Sequence, residues 1–290
     1  MLKKILCTMT ACIWIDLLSS FVLCPVFAAA GEFVPDENTL FLAHYNTSLD
    51  ADYSQGPPRH DAMDTVWLTK KSGWFGGGLV CRVGAEALKE AGADITASGL
   101  MPERSFDGIR YASPGNLDLM KGTFECRIKP YFSIQRAKDM PESWPMQYYL
   151  FTYTETNGRY LILGINSGGV NVSGFFYGIC TSDANIIVNS GIDWKPGTWH
   201  HVAITWDTTE GPGTMSLFLD GRKAGNSSLA PLKGRFLKQD TPYFCIGSPA
   251  WRRAGNPYQF NKTDAVVDEV RISNIVRYRK DFVPPDKGDI

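Results

Sequence analysis

The clearest alternation of apolar and polar residues lies between Trp194 and Arg222, where two short runs flank a turn. Because successive side chains of a strand point to opposite faces, each run predicts a strand with a buried face. The Asp, Thr, Gly and Pro residues of 207–213 favour a turn between them, so the stretch predicts a β-hairpin. Asp220-Gly221 predicts a tight turn into a further strand. The apolar face consists of His200, Val202, Ile204 and Trp206 in the first run and Met215, Leu217 and Leu219 in the second.

Other short apolar stretches, each bounded by Gly, Pro, Asn or Asp, follow one another between residues 39 and 273. Met146–Thr154 alternates strictly, and Asn157-Gly158 after it is a strong hairpin signal. Alternation places Tyr149, Phe151 and Tyr153 on one face, as a core stripe or a ligand platform. Many short strands with Gly- and Pro-containing turns are typical of an all-β protein. The pattern therefore predicts an antiparallel β-sandwich of two sheets.

Five motifs resemble, in the expected order, those of laminin-G-like domains of the concanavalin A-like superfamily. They are LFLAHYN (40–46), GWFGGGL (73–79), GTFECRIKP (122–130), the hairpin GTWHHVAITWD to LFLDGR (197–222) and VVDEVRISN (266–274). The resemblance spans roughly residues 39–283 and implies the jelly-roll form of the β-sandwich as a single domain. It implies less about activity, because one fold supports many functions.

The resemblance also implies one calcium site at the edge of the sandwich. Asp268, in the closing strand, occupies the place of an acidic ligand in relatives, and Asn46 ends the first strand where an Asp is often found. Calcium needs about six to eight oxygen ligands, so a single carboxylate with carbonyl oxygens predicts a weak structural site. The alternative is that Asp268 accepts hydrogen bonds from backbone amides of a loop.

The N-terminus has the features of an export signal. Lys3 and Lys4 precede the largely apolar run 5–26, and small residues at 28–30 offer a cleavage site. We therefore expect a signal peptide at 1–30, a lead-in at 31–38, the domain at 39–283 and a tail at 284–290. The expected location is secreted, cell envelope or periplasm. Asp16 interrupts the apolar run, so we expect no membrane span after cleavage.

The net charge argues against one class of partner, and the cysteine content leaves disulfide bonds open. The formal net charge is −1, which gives no electrostatic footprint for nucleic acid. Four cysteines follow the signal, an even set that an oxidising compartment would allow to pair, although a domain of this size does not need disulfides. The sequence leaves pairing and three possible connectivities open for Cys81, Cys126, Cys180 and Cys245.

Motifs for catalysis are missing from the sequence. Retaining glycanases place two carboxylates about 5–5.5 Å apart. Here Asp268 and Glu269 are adjacent and are expected on opposite strand faces, and Glu125 stands alone on its strand. We expect Trp199, His200, His201 and Trp206 to be packing residues, because large aromatic side chains of a central hairpin usually lie in the core. No catalytic residue is therefore assigned.

Residues 248–258, within the polar and aromatic loop 248–263, are the candidate glycan site. A sugar ring presents a flat C–H face and hydroxyl edges, so it is bound by aromatic rings beside planar polar groups. A tryptophan in a loop is harder to explain as core than one in a strand, and binding residues favour loops. The residues predicted to bind glycan are Trp251, Arg252, Arg253, Asn256 and Tyr258.

These observations favour an exported, non-catalytic module that binds polysaccharide or a glycosylated surface, with self-association possible. Two alternatives stay open. One is a polysaccharide-cleaving hydrolase or lyase whose residues come from separate strands. The other is a structural protein of the cell envelope that packs with itself or its neighbours without sugar.

Overall fold

The computed structural model describes residues 31–62, 66–81, 108–131, 146–155, 160–167, 174–179, 186–188, 194–209, 213–228, 241–247 and 261–286. These residues form strands and no helix, and so contain no helix that is long and apolar enough to cross a membrane. The strands are β1 (Thr39–Ala43), β2 (Tyr53–Ser54), β3 (His60–Ala62), β4 (Val66–Thr69), β5 (Gly78–Cys81), β6 (Gly108–Ala112), β7 (Lys121–Pro130), β8 (Met146–Thr154), β9 (Tyr160–Ser167), β10 (Gly174–Ile179), β11 (Ile186–Val188), β12 (His200–Asp207), β13 (Thr214–Leu219), β14 (Arg222–Ser228), β15 (Tyr243–Gly247), β16 (Asn261–Lys262) and β17 (Ala265–Ser273).

The strands form two sheets, as predicted. Sheet 1 has nine strands in the order β14-β13-β12-β7-β17-β1-β2, and β5 extends it by pairing with both β17 and β4. Sheet 2 has eight strands in the order β11-β10-β9-β8-β15-β6-β3. The strand pairs along both orders are antiparallel, and β16 is added to β8 in parallel. The prediction of an all-β, two-sheet antiparallel sandwich is confirmed.

The predicted hairpin is β12 and β13, which pair in register from Val202 opposite Leu219 to Asp207 opposite Thr214. Residues Val202, Ile204 and Trp206 are fully buried in the core, as the alternation indicated. Asp220 and Gly221 have φ values of 49° and 76° and lead directly into β14. Two successive positive φ values are the geometry of a two-residue hairpin turn, so this turn is also as predicted.

One hydrophobic core lies between the sheets. Phe124 of sheet 1 stacks on Phe151 of sheet 2 with ring centroids 4.4 Å apart, and Phe41 of sheet 1 meets Tyr111 and Phe244 of sheet 2 edge-on. Each fully buried aromatic side chain contributes roughly 1.5–3 kcal/mol relative to exposure. Contacts across the two sheets therefore provide the main stabilisation of the sandwich.

A β-bulge in β8 divides the aromatic stripe that strict alternation predicts. The pairing with β9 shifts between Tyr149 and Phe151, so Leu150 lies opposite no residue of β9. Phe151 and Tyr153 point into the core, whereas Tyr149 packs with Ile162 on the outer face of sheet 2. The extra residue reverses the facing of the side chains after it, so the stripe is not one continuous platform.

Segments 31–38 and 274–286 cover the outer face of sheet 1. The backbone N–H of Phe33 donates to Glu269 Oε2 at 2.7 Å, and Arg277 donates through both terminal nitrogens to Asp36 at 2.6 and 2.8 Å. Phe282 N donates to Gly221 O at 2.9 Å, and a Cβ on Gly221 would lie 2.1 Å from Phe282 O. The two segments are thus bound to the sheet and to each other.

Among the described cysteines, Cys81 and Cys126 are fully buried in the core, and Cys245 is 4% exposed in β15. No disulfide joins any two of these three residues. Cys180 lies outside the described residues, so the pairing stays open. Burial raises the pKa of the Cys126 thiol well above its ordinary value, which keeps this group protonated.

Candidate functional site

The predicted glycan-binding loop lies outside the described residues. This applies to all five residues assigned to it: Trp251, Arg252, Arg253, Asn256 and Tyr258. Their assignment stays a prediction. The two residues predicted to bind metal are described and lie beside the same glycine-rich loop.

Asp268 and Asn46 hold the loop of residues 73–77. Asp268 Oδ2 accepts hydrogen bonds from Trp74 N at 2.6 Å and Phe75 N at 3.0 Å, and its Oδ1 accepts one from Glu269 N at 2.9 Å. Asn46 Oδ1 accepts a hydrogen bond from Gly77 N at 3.0 Å. Hydrogen bonds from backbone amides contribute about 0.5–1.5 kcal/mol each, so the two side chains together fix the path of the loop.

The contacts of Asp268 bear directly on the calcium prediction. Both carboxylate oxygens face N–H donors, whose partial positive charge occupies directions that a cation would need. Burial raises the pKa of this carboxyl to about 8, against the hydrogen bonds from Phe75, Glu269 and Trp74 that lower it. Within the described ranges, no group of three or more His, Cys, Asp or Glu side chains could hold a metal ion. Calcium stays a prediction, and loop anchoring is the role that the contacts support.

Asp268 and Glu269 do not lie on opposite faces, contrary to the expectation from strict alternation. The pairing of β17 with β7 shifts between Asp268 and Arg271, and Glu269 has a φ of 52°. The flanking Val267 and Val270 both belong to the core, so both carboxylates lie outside it. A β-bulge explains this arrangement, because it adds one residue to the strand.

A partly exposed aromatic patch lies around the anchored loop. We call it the rim patch and define it as Trp74, Phe75, Trp199 and Lys129. The indole rings of Trp74 and Trp199 meet edge-to-face with centroids 6.0 Å apart, and Phe75 lies 6.2 Å from Trp74. Lys129 Nζ lies 5.1 Å above the Trp199 ring and donates to Ser72 O at 2.9 Å. Arg127 Cζ lies 4.6 Å above the Trp74 ring.

The position of Trp199 corrects the expectation that it is a core residue. Trp206, at the far end of the same strand, is fully buried, but Trp199 precedes the first residue of β12 and is partly exposed. The Pro196-Gly197 turn before it could have indicated this exposure, because a turn places the start of the following strand at the edge of the sandwich. His200 is also outside the core: it stacks on Trp194 with centroids 3.9 Å apart and contacts Asp220 at 2.8 Å.

A second cluster, the buried quartet, lies on the outer face of sheet 1 and consists of Glu125, His201, Arg271 and Tyr278. Glu125 accepts hydrogen bonds from Arg271 Nε at 2.9 Å, His201 Nε2 at 3.1 Å and Tyr278 Oη at 2.8 Å. Burial would raise the pKa of Glu125, but Arg271 and the hydrogen bonds outweigh it and lower this pKa to about 2. Burial lowers the pKa of His201, so it is the neutral imidazole that donates to the carboxylate.

The quartet combines a carboxylate, an imidazole, a phenol and a guanidinium, which are groups that proton-transfer chemistry uses. However, Glu125 and His201 are 0% exposed, and the rings of Phe33, Phe282 and Tyr278 meet the His201 ring edge-on. A substrate therefore has no contact with the carboxylate or the imidazole in this arrangement. The quartet instead connects three neighbouring strands of sheet 1, β12, β7 and β17, to the C-terminal segment.

Solved structures with similar folds include sugar-binding and sugar-cleaving proteins. The fourth domain of a Geobacillus stearothermophilus extracellular arabinanase, in complex with arabinotriose, is 13% identical (TM-score 0.48; 87% of this chain, 97% of that domain). An endo-β-1,4-glucuronan lyase from Trichoderma reesei is 13% identical (TM-score 0.43; 81% and 95%). The binding domain of botulinum neurotoxin serotype G is 9% identical (TM-score 0.51; 83% and 49%), so this chain spans about half of it. The last likeness supports the fold alone.

No curated protein matches the chain. Residues 139–281 match the laminin-G model described as the concanavalin A-like lectin/glucanases superfamily. This range includes the predicted hairpin and the closing strand, and the two antiparallel sheets have the architecture that the match implies. Over residues 139–281 this chain is therefore similar to the concanavalin A-like lectin/glucanases superfamily that the laminin-G model describes.

Proposed function

We propose that this protein is an exported, non-catalytic module that binds polysaccharide or a glycosylated surface. The observation on which the proposal depends is the rim patch. Among the described residues, two indole rings and one phenyl ring there meet at the edge of the sandwich and are partly exposed. Rings of this size are usually buried, so grouped exposure at a sandwich edge favours a binding surface.

The chemistry of the rim patch suits a sugar. The C–H face of a sugar ring packs against an indole face, and its hydroxyl groups need polar partners close by. Lys129 provides an ammonium donor above the Trp199 ring, and the anchored loop provides backbone groups beside Trp74. Apolar walls with a few fixed polar groups are the usual composition of a small-ligand site.

The alternative of a polysaccharide-cleaving enzyme has less support from the geometry. Cleavage by a retaining or inverting glycosidase needs two accessible carboxyl groups facing the bond. Glu125 is 0% exposed, and Asp268 is engaged by three backbone amides. Incubation with a polysaccharide panel followed by an assay for reducing ends and for unsaturated ends tests this alternative. Release of either product would contradict the non-catalytic proposal.

A glycan array with matched variants tests the binding proposal. We expect signal for the wild type, loss of signal for Trp199→Ala, and unchanged signal for Tyr243→Ala. Tyr243 is a suitable control because it is an exposed aromatic residue, 41% exposed, on the outer face of sheet 2. Trp251→Ala, measured in parallel, tests the loop that the sequence predicted. If both tryptophan variants bind as the wild type does, the proposal is wrong at both places.

A further inference from the structure

The N-terminal segment 31–38 is connected to the 73–77 loop, which carries two rings of the rim patch. Glu32 Oε1 accepts a hydrogen bond from Asn46 Nδ2 at 2.7 Å. The Oδ1 atom of the same Asn46 side chain accepts a hydrogen bond from Gly77 N at 3.0 Å. A single side-chain amide therefore joins the segment to the end of the loop.

A second connection starts at the next residue of the segment, Phe33. Its N–H donates to Glu269 Oε2 at 2.7 Å, and the N–H of Glu269 donates to Asp268 Oδ1 at 2.9 Å. The other oxygen of Asp268 accepts the hydrogen bonds from the amides of Trp74 and Phe75. Glu269 is 1% exposed, so water does not compete for its bond to the segment. Two successive residues of the segment are thus connected to both ends of the loop.

The loop packs directly against the side chains of Asn46 and Asp268. A Cβ on Gly76 would lie 2.6 Å from Asn46 Oδ1, and a Cβ on Gly73 would lie 2.9 Å from Asp268 Oδ2. The loop also closes on itself, because Gly73 N donates to Gly76 O at 3.1 Å. Closely packed groups transmit displacements, so a shift of either side chain moves the backbone that carries the rings.

The backbone is left-handed at one residue beside each connection. Tyr45, next to Asn46, has a φ of 55°, and Glu269, next to Asp268, has a φ of 52°. This conformation is uncommon for residues other than glycine and persists only where the surrounding structure fixes it. Residues of this kind cluster at ligand-binding sites, which favours a positioning role for the two connections.

We infer, on the basis of the proposed function, that the segment 31–38 is a positioning element of the glycan site. Glu32 is a positioning residue in it, because it acts on the 73–77 loop through Asn46 rather than through the sugar. The docked segment fixes the two aromatic rings of the loop before the sugar arrives. Preorganisation of this kind lowers the ordering cost of binding.

Glu32 is suited to the test because it is exposed, whereas Phe33 is buried and its replacement would weaken the fold. Substitutions at exposed positions usually change stability little. Glu32→Ala removes the acceptor of the Asn46 amide, and Glu32→Gln keeps a side-chain oxygen for it. Glu37→Ala is the matched control, because Glu37 is an exposed carboxylate of the same segment that accepts only a bond from its neighbour Asn38 at 3.2 Å.

Affinity electrophoresis of the full mature chain measures the effect on binding, in gels that contain arabinan, xylan, polygalacturonate or dextran. For a polymer that retards the wild type, we expect Glu32→Ala to weaken binding by about three- to tenfold. This range corresponds to the loss of one hydrogen bond. Glu32→Gln should restore most of the affinity, and Glu37→Ala should bind as the wild type does.

Hydrogen exchange measured by NMR separates positioning from a general effect on the fold. The Gly77 amide is bonded to Asn46, so Glu32→Ala should speed its exchange by about three- to tenfold. The amides of Trp74 and Phe75 depend on the second connection and should change less. The urea midpoint of unfolding should stay that of the wild type.

The outcomes separate this inference from the proposed function. Weaker binding and faster Gly77 exchange in Glu32→Ala, at an unchanged unfolding midpoint and with recovery in Glu32→Gln, support the positioning role. Wild-type binding by Glu32→Ala, while Trp199→Ala abolishes binding, overturns this role but leaves glycan binding intact. A lower unfolding midpoint with equally faster exchange at all loop amides also overturns it, because the side chain then acts on the whole fold. Absence of any binding that depends on Trp199 overturns both.

Discussion

Replacing Glu125 by glutamine tests whether the buried quartet stabilises the fold. The substitution keeps the shape of the side chain but removes the negative charge that faces Arg271 at 2.7 Å. Arg271 then keeps its charge in a site where its side chain is only 11% exposed. Removal of one partner of a buried ion pair typically costs about 3–5 kcal/mol, because the other charge stays desolvated without compensation.

The pKa of Glu125 gives the same magnitude by a second route. Its folded pKa, about 2, lies below the ordinary value of 4.5. That difference corresponds to about 3 kcal/mol of stabilisation when the group is ionised. Because the folded pKa is the lower one, this stabilisation is present above about pH 4.5 and is lost as the pH falls towards 2.

Urea unfolding followed by tryptophan fluorescence measures both effects. We expect Glu125→Gln to lower the free energy of unfolding by about 3–5 kcal/mol at pH 7. The difference from the wild type should decrease below pH 4.5, because the carboxyl group of the unfolded wild type takes up a proton there while the folded protein keeps it ionised until about pH 2. Asp61→Asn is the matched control: its side chain is 73% exposed and lies 3.5 Å from Arg110, so a change within about 0.5 kcal/mol is expected. A loss for Glu125→Gln that is equally small, or that does not vary with pH, would refute the reasoning.

Three further predictions concern packing and the anchored loop. Gly122→Ala should destabilise the fold by about 1–3 kcal/mol in the same unfolding assay, because its Cβ would lie 2.4 Å from the Trp206 ring. The sequence-based calcium site at Asp268 and Asn46 predicts a thermal midpoint that falls on addition of chelator; an unchanged midpoint in protein confirmed to be metal-free contradicts it. Asp268→Asn should lower stability by about 1–3 kcal/mol, because its NH2 group would face a backbone N–H, either that of Glu269 or those of Trp74 and Phe75; the loop should then be held less firmly and glycan binding should weaken, and wild-type binding contradicts the coupling between anchor and patch.

The sequence predicted the features of the fold that depend on local alternation. Residues 200–207 and 214–219 form the predicted hairpin, and 122–130 and 266–274 supply strands that pair with each other at the centre of sheet 1. Side-chain facing along an extended strand needs only the order of residues, so it can be read without the partner strands. The family resemblance then predicted that these elements follow one another in a β-sandwich.

Two errors of interpretation occur where the strands are irregular, and the one at Trp199 occurs just before a strand begins. The β-bulges after Tyr149 and after Asp268, two of four register shifts among the described strands, each add one residue and change the facing of the side chains that follow. Neither bulge contains a glycine that would have indicated it in the sequence. The bulge in β17 brings Asp268 and Glu269 to the same side, where one holds the 73–77 loop and the other holds the N-terminal segment.

The sequence did not predict the partners of Glu125, because these partners come from other strands and from the segment after the last strand. His201 comes from the neighbouring strand β12, Arg271 from β17 on the other side, and Tyr278 from the segment after the last strand. Their separations along the chain, 76, 146 and 153 residues, are set by the strand order of the sheet. A carboxylate that is the only one in its own strand can therefore have three partners from other segments.

The rim patch depends on the sheet in the same way, and this dependence links the fold to the proposed function. Its rings and its cation come from the 73–77 loop, from the end of β7 and from the residue before β12. These three segments are far apart in the sequence. Asp268, on β17 beside β7, accepts hydrogen bonds from the backbone amides of Trp74 and Phe75. The loop therefore takes its position from the central sheet rather than from its own glycine-rich sequence. Substitution at Asp268 should consequently change stability and binding together, whereas substitution at the partly exposed Lys129 should change binding alone.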